Sequence, residues 1–262
     1  MFSIWESRRL AARKLENSNQ TARFVYELLY QIVSCYNLLM TTIFRSGTDI
    51  EADKASCDIV LAVDLGFARS SNTSCGVVLS QGGKIEEPQT VSFGNCINYV
   101  VKVIQNNKKV VLIIEAPLSG VFDEAMNPLS RGDFENKSTN PNIKTSRHWY
   151  TGAGASICLG AIFFLRMLHD KLQAVKGEED LEVVLYEGFV TFKEKSVSKK
   201  AKQLSHGEDA ELLMKCFLGQ HRREIENVDL VVGGTATILS DIVTQSRNSQ
   251  TPLIIVPIKS TF

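Results

Sequence analysis

Ile59-Val60-Leu61-Ala62-Val63-Asp64-Leu65-Gly66 is the stretch on which the fold turns. Its first five residues are apolar and rich in β-branched side chains, with no polar position to mark a solvent face. That pattern belongs to a strand buried on both sides, which needs helices on both sheet faces. Val110 to Ile114 repeats it, and Val183 to Tyr186 repeats it again. Around these runs, strands are expected at about 76–80 and, after the Gly82-Gly83 turn, at about 90–93. Cys96 to Asn106 reads as a helix with Ile97, Val100, Val101 and Ile104 on one face. Further helices are expected at about 154–175, 208–218 and 238–243, with strands at 228–232 and 253–256. Strands alternating with helices predict an α/β domain built on a largely parallel, covered sheet.

Outward from this core the chain changes character. Residues 3–45 carry helical apolar periodicity without proline, and Arg45-Ser46-Gly47-Thr48-Asp49-Ile50-Glu51-Ala52-Asp53-Lys54-Ala55-Ser56 reads as a polar, turn-like break. The division expected is an N-terminal helical extension, 1–52, and an α/β domain, 53–262. Phe24 to Phe44 is about as long as a membrane span, but Glu27, Gln31, Ser34 and Asn37 form a polar stripe at helical spacing. A mostly buried helix suits that stripe better than lipid does, so no membrane association is expected. Residues 117–148 hold three of the six prolines and read as a long irregular excursion, a kind of loop that is usually functional or disordered.

The bulk composition excludes several classes. Lys plus Arg and Asp plus Glu both total 29 in 262 residues, so no overall field attracts a polyanion and any such site is a local patch. The six cysteines (Cys35, Cys57, Cys75, Cys96, Cys158, Cys216) form no C-x-x-C pair, which argues against a zinc ribbon, a redox motif or a disulfide scaffold. Buried, reduced thiols and a charged N-terminus without an apolar leader core predict a cytoplasmic protein.

Three of the buried runs end in an acid: Asp64 after Val63, Glu115 after Ile114, and Glu187 after Tyr186. Ligands of open α/β sheets bind beyond the carboxyl ends of the strands. Charges placed there are costly unless paired, and a hard divalent cation is one natural partner. A turn cap or a lysine partner accounts for any one of them more readily than for all three together. Asp209 opens the helix after His206-Gly207-Glu208 and shares a face with Leu213 and Cys216. Glu208 or Asp209 could instead favour the helix N-terminus.

The order of Ala62-Val63-Asp64-Leu65-Gly66, a second strand, Ile113-Ile114-Glu115-Ala116-Pro117-Leu118 and a later His206-x-x-Asp209-Ala210 resembles ribonuclease H-like nucleases. It looks most similar to Holliday-junction-resolvase-like proteins and a related group of predicted nucleases, over about residues 58–262. The resemblance implies a ribonuclease H-like mixed sheet flanked by helices. It also implies a metal-dependent endonuclease that hydrolyses phosphodiester bonds of DNA or RNA with two Mg²⁺ or Mn²⁺ ions. By the same resemblance Asp64, Glu115 and Asp209 are metal ligands, Glu187 or Glu208 an accessory ligand, and His206 a residue that orients water or phosphate.

Cationic residues supply candidate substrate contacts. Lys193, Lys195, Lys199, Lys200 and Lys202 precede the Asp209 helix, where they suit a polyanion or form a solvated loop. Arg147, Trp149 and Tyr150 combine a cation with aromatics before the 154–175 helix, and could stack a base. A rival reading comes from Asp64-Leu65-Gly66 with Ser70, Ser71, Asn72, Thr73 and Gly76, which resembles the first phosphate loop of actin- and sugar-kinase-like ATPases. Val231 to Ala236 resembles their adenosine-binding turn. A third is a non-catalytic scaffold of the same fold, with the N-terminal helices available to a protein partner or a second copy.

Overall fold

The computed structural model describes residues 44–66, 74–123, 128–136, 152–175, 181–190, 205–228, 235–237 and 251–258. The chain divides into two units, Met1–Thr41 and Thr42–Phe262, and every described residue belongs to the second. The expected helix over 3–45 therefore lies outside the described residues, apart from its last two positions.

Those two positions are not helical. Phe44–Ser46 is a strand (β1), and the segment read as a turn contains a helix, Ile50–Ser56 (α1). Asp49 caps α1, its carboxylate accepting from the backbone N–H groups of Glu51 and Ala52. The polar stretch escaped notice as a helix because its inward face holds Asp53 as well as Ile50, both buried. The remaining elements are β2 (Ile59–Asp64), β3 (Cys75–Gln81), β4 (Lys84–Ile85), β5 (Gln89–Val91), α2 (Phe93–Gln105) and β6 (Lys109–Glu115). After them come β7 (Ser119–Phe122), β8 (Pro128–Leu129), α3 (Asp133–Asn136), α4 (Gly152–Val175) and β9 (Glu182–Gly188). The chain continues through α5 (His206–Phe217), β10 (Arg223–Glu226), β11 (Thr235–Thr237) and β12 (Ile254–Pro257).

The main sheet is mixed and flanked by helices, as the resemblance implies, and less parallel than the alternation of strands and helices alone suggests. Its order is β10-β12-β9-β6-β2-β3-β4, with β5 also on β3 and β1 also on β9. Strands β2, β6, β9 and β12 run parallel, whereas β3 is antiparallel to β2 and β10 to β12. The outer edge of β9 is shared: β1 pairs with Val183 to Leu185, and β12 with Glu187 and Gly188. Gly47 stitches the two together, donating to the Leu185 carbonyl and accepting from the Leu253 N–H.

Period-two alternation splits the apolar runs between two cores. Leu61, Val63, Leu112, Ile114, Val183 and Leu185 face α2 and α4. Val60, Ala62, Val111, Ile113, Val184 and Tyr186 face α1 and α5. Part of the 117–148 excursion is ordered rather than irregular: β7 pairs with β8 and with β11 in a small second sheet. A strand not expected from the sequence, β10, forms at Arg223–Glu226; positions 229–232 of the strand expected at 228–232, like the helix expected at 238–243, lie outside the described residues.

One buried polar contact ties β1 and α1 to this core. The Tyr186 hydroxyl donates to Asp53 at 2.5 Å, and Arg45 pairs with Asp53 and with Glu182. Burial first, then the bond to Asp53, pushes the Tyr186 hydroxyl well above its ordinary range. Tyr186→Phe leaves Asp53 with one partner fewer and is expected to cost about 2 kcal/mol. Thermal unfolding checks this: a fall of roughly 4–8 °C is expected, and an unchanged midpoint would show that the bond contributes nothing net.

Candidate metal centre

The cores decide which acids can meet. On β2 and β6 the even and odd registers coincide: Asp64 is the Cα neighbour of Glu115, and both continue the face that α5 covers. Helix α5 lies across β2 and β3, and its buried face carries Asp209, Leu213 and Cys216. Asp209 is thereby lowered onto the ends of the two strands. One carboxylate oxygen each from Asp64, Glu115 and Asp209 lie within 4.8 Å of one another. Asp64 and Asp209 are 3% and 1% exposed, so the cluster forms largely out of water.

Two glycines make the approach possible. Gly76 lies opposite Asp64 on β3, and a Cβ there would run into the carbonyl of His206. A Cβ at Gly66 would meet the Ser74 carbonyl in the same way. Absence of a side chain at Gly76 lets the start of α5 settle against β3 beside Asp64, and at Gly66 lets the chain leaving β2 pass close to Ser74.

His206 is the first residue of α5, and its Nδ1 lies 2.6 Å from Asp64 Oδ2. A carboxylate only accepts, so Nδ1 carries the hydrogen and fixes the plane of the Asp64 carboxylate. Its Nδ1 is thus committed to a proposed ligand, which leaves only Nε2 for the expected role of orienting water or phosphate. Nearby, the Cys75 thiol is held below its ordinary range by a bond with Cys96, while the Cys96 thiol is pushed well above it by the same contact and by burial.

Neither proposed accessory ligand joins the cluster. Glu208 closes a capping box, accepting from the Ser205 N–H while the Ser205 hydroxyl accepts from the Glu208 N–H. Glu187 sits one register step off: Gly188, not Glu187, is opposite Glu115. Its side chain follows Val183 and Leu185 to the α2–α4 face, where it meets Arg131. Burial raises the Glu187 carboxyl, and Arg131 pulls it back only in part. Arg131, Glu135 and Ser119 were missed as site-supporting residues, although Arg131 and Glu135 stand four apart, a spacing at which helical ion pairs form.

The lysines at 193, 195, 199, 200 and 202 lie outside the described residues, as do Arg147, Trp149 and Tyr150. So do Ser70, Ser71, Asn72 and Thr73, and most of the proposed adenosine turn; Thr235–Thr237, at its end, is a strand paired with β7. Among the described residues no helix is long and apolar enough to cross a membrane, and the stretch from Phe24 lies outside them. Cys57, Cys75, Cys96, Cys158 and Cys216 are free and buried. The chain matches no family model, no curated protein and no solved structure.

The cluster fits a hard divalent cation by its chemistry. It offers only carboxylate oxygen, the donor that Mg²⁺ and Mn²⁺ prefer over nitrogen or sulfur. Its oxygens come from three separate elements, and small side-chain rotations would draw them into one coordination shell.

Proposed function

We propose that this protein is a metal-dependent nuclease of the ribonuclease H-like fold, holding Mg²⁺ or Mn²⁺ on Asp64, Glu115 and Asp209. The convergence of those three carboxylates within 4.8 Å carries the reading. An antiparallel β5-β3-β2 unit continued by parallel β6 and β9, with helices on both faces, is consistent with that fold.

Bound ions would supply Lewis-acid charge on a phosphodiester and an activated water. The protein's own part is to converge the three acids, with His206 orienting Asp64 and the apolar cores excluding water from behind them. The lysine-bearing segment begins after Val190 and ends at Ser205, beyond the carboxyl end of β9 and at the start of α5, so both its ends lie on the acidic side of the sheet. The sequence between those ends carries five lysines, a composition that suits a polyanionic substrate.

The test is cleavage of labelled single-stranded, duplex and branched DNA and RNA with Mg²⁺ or Mn²⁺, alongside thermal unfolding. Cation at a hundred times its Kd is expected to stabilise the fold by about 2.7 kcal/mol, a rise of roughly 5–10 °C. No metal-dependent shift and no cleavage would reject the nuclease; ATP binding in their place would favour the phosphotransferase reading.

A further inference from the structure

The acid that misses the cluster is held by a network with no part in metal ligation. Arg131, Glu135 and Glu187 have side chains with no exposed surface at all. Arg131 Nη1 pairs with Glu187 Oε1, and Nε donates to Glu135 Oε1 at 2.6 Å. The guanidinium lies 5.6 and 5.9 Å from the ring centres of Phe134 and Phe189. The second oxygen of Glu187 accepts from the Leu118 backbone N–H at 2.9 Å and from the Ser119 hydroxyl at 3.2 Å. Arg131 Nη1 donates again to the Ser119 carbonyl at 3.2 Å.

Three of these bonds, from the Leu118 N–H and the Ser119 hydroxyl to Glu187 and from Arg131 to the Ser119 carbonyl, land on the turn that follows Glu115. The chain bends at once there, with the Ala116 N–H reaching back to the Ile114 carbonyl at 2.9 Å. Glu115 is the least buried of the three clustered acids and the last residue of its strand, so the path of 116–119 sets where its carboxylate points. A buried ion pair is a poor device for stability alone, because apolar side chains of similar volume generally serve as well. What it adds is a fixed geometry, since a guanidinium fork and a carboxylate accept few mutual orientations.

We propose that Arg131 and Glu187 are positioning residues for Glu115, pinning the Glu115–Ser119 turn so that the third carboxylate is pre-aimed at the cation. The proposal rests on the metal reading given above. Pre-aiming a ligand through a neighbouring bond is worth about 10–100-fold in metal affinity.

The decisive variant is Arg131→Lys, which keeps the charge and loses the fork. Long-range electrostatics alone predicts unchanged Mn²⁺ affinity; positioning predicts about tenfold weaker binding by calorimetry. It also predicts faster amide hydrogen exchange at Leu118, with Val111 to Ile113 unaffected. Arg131→Met sharpens the contrast, because removing a positive charge should tighten cation binding unless aim is lost. If Arg131→Met does not fold, Arg131→Lys decides the matter. Wild-type affinity in a folded Arg131→Lys would overturn the positioning role while leaving the metal reading intact. Failure of the wild type itself to bind Mn²⁺ would reject the metal reading, and the positioning role with it.

Discussion

Asp64→Asn is expected to leave the protein folded, to abolish the Mg²⁺- or Mn²⁺-dependent cleavage proposed above, and to raise the thermal midpoint in the absence of metal. Asp64 is central to the cluster: it neighbours Glu115 in the sheet and is bonded to His206. If Asp64 holds the cation as proposed, losing its charge would forfeit about 4 kcal/mol of transition-state stabilisation, on the order of a thousandfold in rate. The fold survives because asparagine is isosteric and its carbonyl oxygen still accepts from His206 Nδ1. Stability without metal rises because three carboxylates within 4.8 Å repel one another, and removing one charge relieves about 1 kcal/mol or more. That corresponds to a midpoint about 2–4 °C higher. The stabilisation expected from added Mn²⁺ should be lost in the same variant. Wild-type cleavage by Asp64→Asn would show that the cluster is not the active site. A lower midpoint without metal would show instead that Asp64 serves the fold.

The layered core and the strand ends were legible because a fully buried strand advertises itself as an unbroken apolar run. Asp64 and Glu115 stood out because each ends such a run, and Asp209 because it shares a helix face with Leu213 and Cys216. The choice of these three as ligands over Glu187 and Glu208 came from the family resemblance. The same property concealed the error at Glu187. A strand buried on both faces carries no alternation, so nothing in Val183-Val184-Leu185-Tyr186 says which parity faces α5. Register decided it, by setting Gly188 rather than Glu187 beside Glu115.

Short polar elements were illegible for a different reason. Helix α1 and the elements β7, β8 and α3 bury charged groups, Asp53 in one case and Arg131 with Glu135 in the other. Each is satisfied by a partner distant in sequence: Tyr186 lies 133 residues from Asp53, and Glu187 lies 56 from Arg131. A local reading therefore sees loops where tertiary ion pairs build structure.

The second large effect falls on that buried network. Arg131→Met leaves Glu135 and Glu187 without their shared cation in a site that water does not reach, and is expected to cost about 3–5 kcal/mol at neutral pH. The loss depends on pH in a direction opposite to that of an ordinary surface carboxylate. Burial already holds the Glu187 carboxyl above its usual 4.5 in the native state, and Arg131 works against that rise. Without Arg131 the folded-state value climbs further. A raised acid imposes no penalty below its unfolded-state value, since both states are then protonated. The penalty develops as pH rises from about 4.5 through the folded-state value and is complete above it. Urea unfolding at pH 5 and pH 8 should therefore show wild type and Arg131→Met closest at the acid end and furthest apart at the alkaline end. Arg131→Met combined with Glu187→Gln should recover much of the difference at pH 8, because the newly unpaired charge is gone. A gap between wild type and Arg131→Met that is the same at both pH values would mean the loss comes from packing, and that Glu187 is not ionised against Arg131 in the native protein.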